Sequence, residues 1–226
     1  MKALPGSRLT AAAGYIRHGA VFADIGTDHA LLPIWAVTNN IAVLSIASDV
    51  NEGPLLRARE NAERYGVCEL VSCVLTNGFD GMDELGITDA AICGMGGEMI
   101  ADIITRADFI KADGFRLIIQ PMTRIDASRR GLWNAGFHIM GESTVYENGK
   151  YYTVICADYC GTARDADDFT ALYGDITARS FESADVRRGY FEHEIGKYKQ
   201  VIEGKNSAGI DVSAEHEIIR RLTEVI

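Results

Sequence analysis

The chain has 226 residues, 47% of them apolar and 24% charged, enough for one large domain or a medium domain with an appendage. No window long enough to span a bilayer is apolar throughout, and Met1 to Arg8 lacks the apolar core of a secretion signal, so no membrane contact and a cytoplasmic address are expected. A formal charge of −10 excludes indiscriminate nucleic-acid binding, which depends on phosphate neutralisation, but leaves room for a local basic patch.

Taken in order, Ser7 to Arg17 places Leu9, Ala12, Ala13 and Ile16 on one helical face, with Ser7 as the expected N-cap. The run from Ala20 to Ile25 is hydrophobic on both faces and carries Asp24 just before Gly26, the form of a buried parallel strand that opens onto a ligand. Gly26 permits a positive φ or the approach of a ligand to bare backbone, and Asp24 supplies an acceptor. The dinucleotide pattern Gly-x-Gly-x-x-Gly is absent, because Asp28 and Leu31 stand where its second and third glycines belong. A diphosphate would be opposed by Asp24 and Asp28, whereas S-adenosylmethionine, with a sulfonium, an ammonium and no phosphate, suits an acidic turn. An acid here also suits a helix cap with no ligand.

A helix from Leu31 to Val37 with Pro33 in its first turn leads to a second buried strand, Ile41 to Val50, which ends in Asp49, 25 residues after Asp24. An acid at that distance accepts hydrogen bonds from ribose hydroxyls in nucleotide-binding α/β units. Asn51 to Pro54 is expected as a turn and Leu55, Ala58, Ala62 and Tyr65 as a helix closed by Gly66. Two further strands lead into Thr76-Asn77-Gly78 and Gly94-Met95-Gly96-Gly97. The second of these turns clears side chains from a strand end so that a flat group can reach the backbone, or else forms a mobile loop. Glu98 to Arg106 reads as a helix. A fifth strand from Phe115 is expected to stop at Gln120-Pro121, where proline ends the hydrogen bonding, followed by a helix from Arg124 to Asn134. Asn148-Gly149 between two apolar runs predicts an antiparallel hairpin.

Five parallel strands with alternating helices, closed by that hairpin, give an α/β, Rossmann-like class I methyltransferase sheet over residues 1–160. Residues 161–226 show no strand signal. Phe181, Val186, Tyr190, Phe191, Ile195, Tyr198 and Ile202, then Ile218, Ile219, Leu222 and Ile226, predict a C-terminal α-helical hairpin domain broken at Gly204 to Gly209. Its stripes bury against each other or the sheet in a monomer, or form a weak dimer as a coiled coil. The five cysteines, Cys68, Cys73, Cys93, Cys156 and Cys160, have no metal-knuckle spacing and read as reduced core residues, with no metal expected.

The segments Ala23 to Pro33, Ala47 to Leu55, Gly94 to Gly97 and Gln120-Pro121, with Gly149-Lys150-Tyr151-Tyr152 in the late hairpin, resemble the bacterial tRNA (adenine(22)-N(1))-methyltransferase family over nearly all of residues 1–160. The resemblance implies an S-adenosylmethionine-dependent enzyme that methylates ring nitrogen 1 of an adenine in the tRNA D-arm, with a coiled-coil-like tail that helps to hold the tRNA. Leu31 departs from a usual tyrosine, and Asn77 from a usual aspartate. On this reading Asp24, Gly26, Asp49, Val50, Asn77, Gly78 and Gly94 bind the cofactor. Met95, Gly96, Gly97, Gln120 and Pro121 bind the substrate, with the Gly94 carbonyl offered to the exocyclic amine and Met95 to the ring. Asp28 is the expected catalytic carboxylate, and His29 orients it or the base; His29 is equally readable as a helix-start residue. The tail's Arg179, Arg187, Arg188, Lys197, Lys199 and Lys205 are candidate phosphate contacts, although the tail carries 9 basic against 13 acidic residues. A small-molecule or protein methyltransferase, or a non-catalytic S-adenosylmethionine-binding protein, are the alternatives.

Overall fold

The computed structural model describes Leu4 and residues 6–226; Met1 to Ala3 and Pro5, part of the Met1 to Arg8 stretch read above as lacking a signal core, lie outside the described residues. The first half alternates strand and helix: α1 (Ser7–Ala13), β1 (Ala20–Ile25), α2 (Leu31–Thr38), β2 (Ala42–Asp49), α3 (Glu52–Tyr65), β3 (Val71–Leu75), β4 (Asp89–Gly96), α4 (Gly97–Arg106), β5 (Arg116–Thr123) and α5 (Ile125–Asn134). The hairpin β6 (Phe137–Glu147) and β7 (Lys150–Tyr159) follows, then α6 (Asp168–Tyr173), β8 (Ser180–Phe181), α7 (Ala184–Ser207) and α8 (Ser213–Thr223).

These strands form one sheet in the order β3-β2-β1-β4-β5-β7-β6-β8. The first five are parallel, as each apolar run with its return helix requires. β7 adds antiparallel to β5, and Asn148 and Gly149, at φ 49 and 80, make the tight hairpin that the dipeptide predicts. Successive residues of β1 feed opposite layers: Phe22 packs with α1 and α2 through Ala12 and Leu32, whereas Ala23 and Ile25 pack with α4 and α5 through Ile100, Ile104 and Leu132. The apolar faces are thereby covered on both sides, and the carboxyl ends of the parallel strands are left as the natural crevice.

Several local expectations give way. Ser7 is not the N-cap of α1; Gly6 holds that place, and the Ser7 hydroxyl donates to Glu182 at 2.6 Å. α1 stops at Ala13, and Arg17 instead clamps the buried Asp89 at the start of β4. Glu52 to Pro54 form the first turn of α3 rather than a separate turn, since proline is tolerated there. β5 does not stop at Pro121 but runs to Thr123. Pro121 pairs with Met95 at a shift in register, where a missing N–H removes no regular ladder bond, and Arg124 at φ 50 makes the turn instead. The Gly94 to Gly96 segment is the irregular end of β4 and not a loop. α7 runs through Gly204 to Ser207, because one glycine costs only about 1 kcal/mol in a long helix. Phe181 lies in β8, a strand without sequence signal, and Cys68 and Cys160 are exposed, Cys73 and Cys93 half-buried, and Cys156 buried.

The C-terminal elements bury Tyr173, Ile176, Tyr190, Phe191 and Leu222 as a separate apolar cluster. A buried ion network bolts it to the sheet. Glu142 of β6 accepts from Arg129 of α5 at 2.7 and 2.8 Å and from Arg179 at 2.9 Å. Arg129 also donates to the carbonyls of Ala171 and Leu172, and Arg179 to the Tyr190 hydroxyl. Burial alone would raise the Glu142 pKa, but the two guanidinium groups outweigh it and hold the carboxyl below its ordinary range. Its stabilising contribution is therefore present at neutral pH and lost as pH falls through that depressed pKa. Removing the carboxylate leaves two buried cations unpaired. Glu142→Ala should lower stability by roughly 3–5 kcal/mol. Urea unfolding followed by circular dichroism checks this, and an unchanged midpoint would contradict the role given to the network.

Candidate active site

At the end of β1 the chain turns through Gly26 at φ 77. The Gly26 and Thr27 amides both donate to the Ser48 carbonyl at 2.8 Å, which ties the turn to β2. Those two amides are spent, so this turn offers no open pair of N–H groups to a phosphate, in keeping with the acids around it. Thr27 Oγ1 accepts from the Ala30 amide at 3.1 Å and so starts α2, whose N-cap Ala30 is itself left-handed at φ 51.

Two chambers meet at Gly26. The first, about 320 Å³, is lined by Arg8 and Leu9 of α1, Asp24, the turn from Gly26 to His29, Leu31, Leu32, Cys93 and Gly94. Asp24 is only 8% exposed, and burial pushes its carboxyl up to about 6. A hydrogen bond from Thr27 and the charge of Arg8 oppose that rise, and the charge of Asp49 adds to it. Arg8 reaches over from α1 to donate to Gln120 at 2.7 Å, and its guanidinium carbon lies 5.8 Å from the centre of the Tyr152 ring. The chamber thus sets a desolvated carboxylate near a fixed guanidinium, a pairing suited to a zwitterion. Desolvation pushes the Cys93 thiol up to about 12, so it is no thiolate at neutral pH.

The second chamber, about 390 Å³, is lined by Ile25, Gly26, Asp49, Val50, Thr76, Asn77, Gly78, Met95, Met99, Asp102, Ile103 and Arg106. Asp49 ends β2 at the register of Leu75 and accepts from the Asn51 amide at 2.8 Å. Gly78, at φ 63, lies so near Ile103 that an added Cβ would come within 3.2 Å of it. Met95 lies over Gly26: a Cβ there would fall 2.0 Å from the Met95 methyl. The junction is a strip of bare backbone beneath one flexible thioether.

The structure therefore gathers Asp24, Gly26, Asp28, His29 and Gly94 around one chamber and Asp49, Val50, Asn77, Gly78 and Met95 around the other. Leu31, the departure from a usual tyrosine, stands in the wall of the first. Asp28 is 66% exposed, ion-paired with Arg57, and 3.1 Å from His29 Nε2. Its hydrogen bond with Arg57, helped by the charges of His29 and Arg57, holds its pKa below the usual range. Gly96, Gly97, Gln120 and Pro121 line neither chamber. Gln120 is fully buried and engaged with Arg8, and Gly97 carries α4 so close to the Arg124 carbonyl that a Cβ would fall 1.9 Å from it. Arg8 and Arg57 escaped sequence reasoning, since each comes from a helix distant in sequence. The spacing of α3 could have flagged Arg57, which lies one turn into that helix, directly after the acid-bearing second strand.

Of the tail's candidate phosphate contacts, Arg179 is excluded, being buried in the Glu142 network. Lys197 pairs with Glu194 and Lys205 with Glu215, and Arg187 donates to the Val225 carbonyl. Arg188 is exposed, as is Lys199. Among the described residues no helix is long and apolar enough to cross a membrane, and no cluster of metal-binding side chains is found.

Comparison with known proteins places this geometry. The methyltransferase domain family matches residues 6–155. The chain is 37% identical over 152 residues to the tRNA (adenine(22)-N(1))-methyltransferase of Bacillus subtilis, a match that takes in 67% of this chain and 63% of that relative's length. Among solved structures, Streptococcus pneumoniae Sp1610 in complex with S-adenosyl-L-methionine is 28% identical at a TM-score of 0.81, covering 97% of this chain and 98% of that one. M. capricolum TrmK in complex with S-adenosyl-homocysteine is 27% identical at a TM-score of 0.78, covering 99% and 96%. The sheet order, the crevice at the carboxyl ends of its strands and the match over residues 6–155 lead to one conclusion: this chain belongs to the methyltransferase domain family and has the class I methyltransferase fold.

Proposed function

We propose that the chain is an S-adenosylmethionine-dependent enzyme that methylates ring nitrogen 1 of adenine 22 in tRNA. The observation that carries the cofactor is the pair of chambers joined at Gly26, one with a buried carboxylate and one closed by Asp49. The likeness to the B. subtilis enzyme carries the substrate. A tRNA substrate sets its work in the cytoplasm. The buried cluster of Tyr190, Phe191 and Leu222 consumes much of the tail's apolar stripe, which favours a monomer over a dimer through the C-terminal helices.

The residues present fit the cofactor. Asp24 would hold its ammonium and Arg8 its carboxylate, with Gly26 and Gly94 leaving bare main chain between them. Asp49 would hold the ribose hydroxyls, and Val50, Asn77 and Gly78 the adenine. S-adenosylmethionine supplies an electrophilic methyl group. The chain's own task is alignment and exclusion of water, because ring nitrogen 1 of adenine is unprotonated at neutral pH and already nucleophilic. The Gly94 carbonyl accepts from the exocyclic amine, and Met95 packs on the ring. The methylated ring is cationic, and Asp28, held by Arg57 and His29, faces that developing charge from the mouth of the first chamber. The acceptor adenine must leave its stack, which costs a few kcal/mol that contacts elsewhere on the tRNA offset.

Methyl transfer from labelled cofactor to unmodified tRNA transcripts, with the modified position mapped, tests the function. Label at adenine 22 is the expected result. Cofactor binding without transfer to any tRNA would point to a small-molecule or protein substrate, or to a non-catalytic binding protein. Three outcomes are expected from the site. Asp49→Ala should weaken S-adenosylmethionine binding by roughly 1.5–3 kcal/mol, the range for hydrogen bonds to a charged group, as read by calorimetry. Asp28→Asn should lower turnover about tenfold with cofactor affinity nearly unchanged, since its interaction strengthens only as charge develops. Asp24, at about 6, holds its proton more tightly in the folded than in the unfolded chain. It therefore costs stability as pH rises from about 4 to 6, and a cationic ligand recovers that loss. Cofactor affinity should accordingly fall by up to about tenfold per unit as pH drops below 6, with proton release on binding at pH 6. Calorimetry in buffers of different ionisation enthalpy reads the proton, and Asp24→Asn should show neither effect.

A further inference from the structure

A third cleft, about 450 Å³, lies between the end of β5 and α7 and belongs to neither cofactor chamber. Its sheet wall is Pro121 to Ile125 with Tyr151 and Thr153 of β7, and its helical wall is Leu172, Tyr173, Tyr190, Glu194, Lys197, Tyr198 and Val201. In register, Pro121 pairs with Met95 and Thr123 with Gly96, so the cleft begins one strand spacing from the turn at which the methyl acceptor is set.

We infer that this cleft holds an unstacked nucleotide of the RNA next to the methylated adenine; the inference rests on the tRNA reading above. Three observations favour that occupant. Tyr151, Tyr173, Tyr190 and Tyr198 line the cleft, with Tyr151 edge-to-face on Tyr190 at a centroid distance of 5.8 Å, while Tyr146 and His193 back Tyr151 from outside the lining at 4.8 and 5.7 Å. Flat faces of this kind take a base of any identity. Glu194, near the helical wall's centre, is an acceptor for a base amino group, and it already accepts from Lys197 at 2.7 Å and Tyr173 at 3.3 Å. Cations stand at the rim: the Arg124 and Lys197 side chains are 57% and 54% exposed, Arg124 in a surface pair with Glu98 that exchanges readily for phosphate, and Lys197 anchored by the mostly buried Glu194 carboxylate with its ammonium still open to solvent. A base drawn from the stack to reach Gly94 opens the backbone beside it, and its neighbour then needs a new surface.

The fold explains why the cleft has a defined width. Arg129, Glu142 and Arg179 fix α6 and the foot of α7 on the sheet. Tyr151 is packed against α7 so closely that a Cβ on Gly189 would fall 2.2 Å from its hydroxyl.

The test uses the full chain, unmodified tRNA transcripts, and transcripts with an abasic site one or two nucleotides from the methylated adenine. Tyr151→Leu and Lys197→Ala should each raise KM for intact tRNA about tenfold while kcat and cofactor affinity stay within twofold, and Tyr151→Phe should keep the wild-type KM. Lys197→Ala should also reduce the slope of log affinity against log salt by about 1. At one of the two positions, base removal should cost the wild-type enzyme about the same factor and cost Tyr151→Leu nothing more, because both changes delete one stacking contact. Wild-type KM values in both variants, or losses that multiply at both abasic positions, would overturn the inference while leaving the tRNA reading intact. A wild-type enzyme that methylates no tRNA would overturn both.

Discussion

Everything that this fold presents to a ligand depends on the absence of a side chain at Gly26. β1 enters the turn buried on both faces, and the Ser48 carbonyl takes the next two amides, so the backbone cannot drift from the strand end. With φ at 77 and the Met95 methyl directly above, the position is restricted twice, by backbone conformation and by space. The same bare strip joins the Asp24 chamber to the Asp49 chamber. A ligand with a cationic amino-acid end and a nucleoside end would find an acid for each half near the ends of adjacent strands, Asp24 in β1 and Asp49 in β2, with Gly26 between the two chambers. No phosphate is invited, because the amides that would bind one are already engaged and the flanking side chains are acidic.

A second constraint fixes the C-terminal elements. Their apolar cluster is small, centred on five buried residues, and would be a weak domain alone. The buried arrangement of two arginines around Glu142 joins α5, β6 and the Ala171 and Leu172 carbonyls with the segment that leads into α7. Such a network is poor as a source of stability compared with hydrophobic packing but strict about geometry, because any displacement strands a buried charge. The tail is thus held at a set distance from the reacting edge, with aromatic rings facing the gap. Of the tail's six candidate cations, Arg179 is buried in that network, Arg187, Lys197 and Lys205 are engaged within the chain, and Arg188 and Lys199 are exposed.

Much of the scaffold was legible in the sequence because it rests on local rules. The doubly apolar strands, the acids that end β1 and β2, the left-handed Gly66 after α3 and the Asn148-Gly149 turn each follow from a few neighbouring residues. What escaped depends on residues far apart. Arg8 meets Gln120 and Arg57 meets Asp28 only after the sheet is assembled, and Arg129, Glu142 and Arg179 have no periodic signature at all. Pro121 was misread for a related reason: the strand breaker sits opposite an irregular stretch of β4, where regular hydrogen bonding is already interrupted. β8, two residues long, exists because β6 offers a free edge and Phe181 has a cluster to join.

The site stands or falls on Gly26, and calorimetric titration of S-adenosylmethionine into Gly26→Ala measures that dependence directly. The obstructing Met95 methyl is the end of a flexible side chain, so the variant is expected to fold, with native circular dichroism as the control. The new methyl group would nonetheless stand where the two chambers join. Loss of binding by more than about tenfold, not restored by adding Met95→Ala, is the predicted result, since relieving the clash leaves both the positive φ and the filled junction. Wild-type affinity in a folded Gly26→Ala protein would contradict the account and place the cofactor elsewhere.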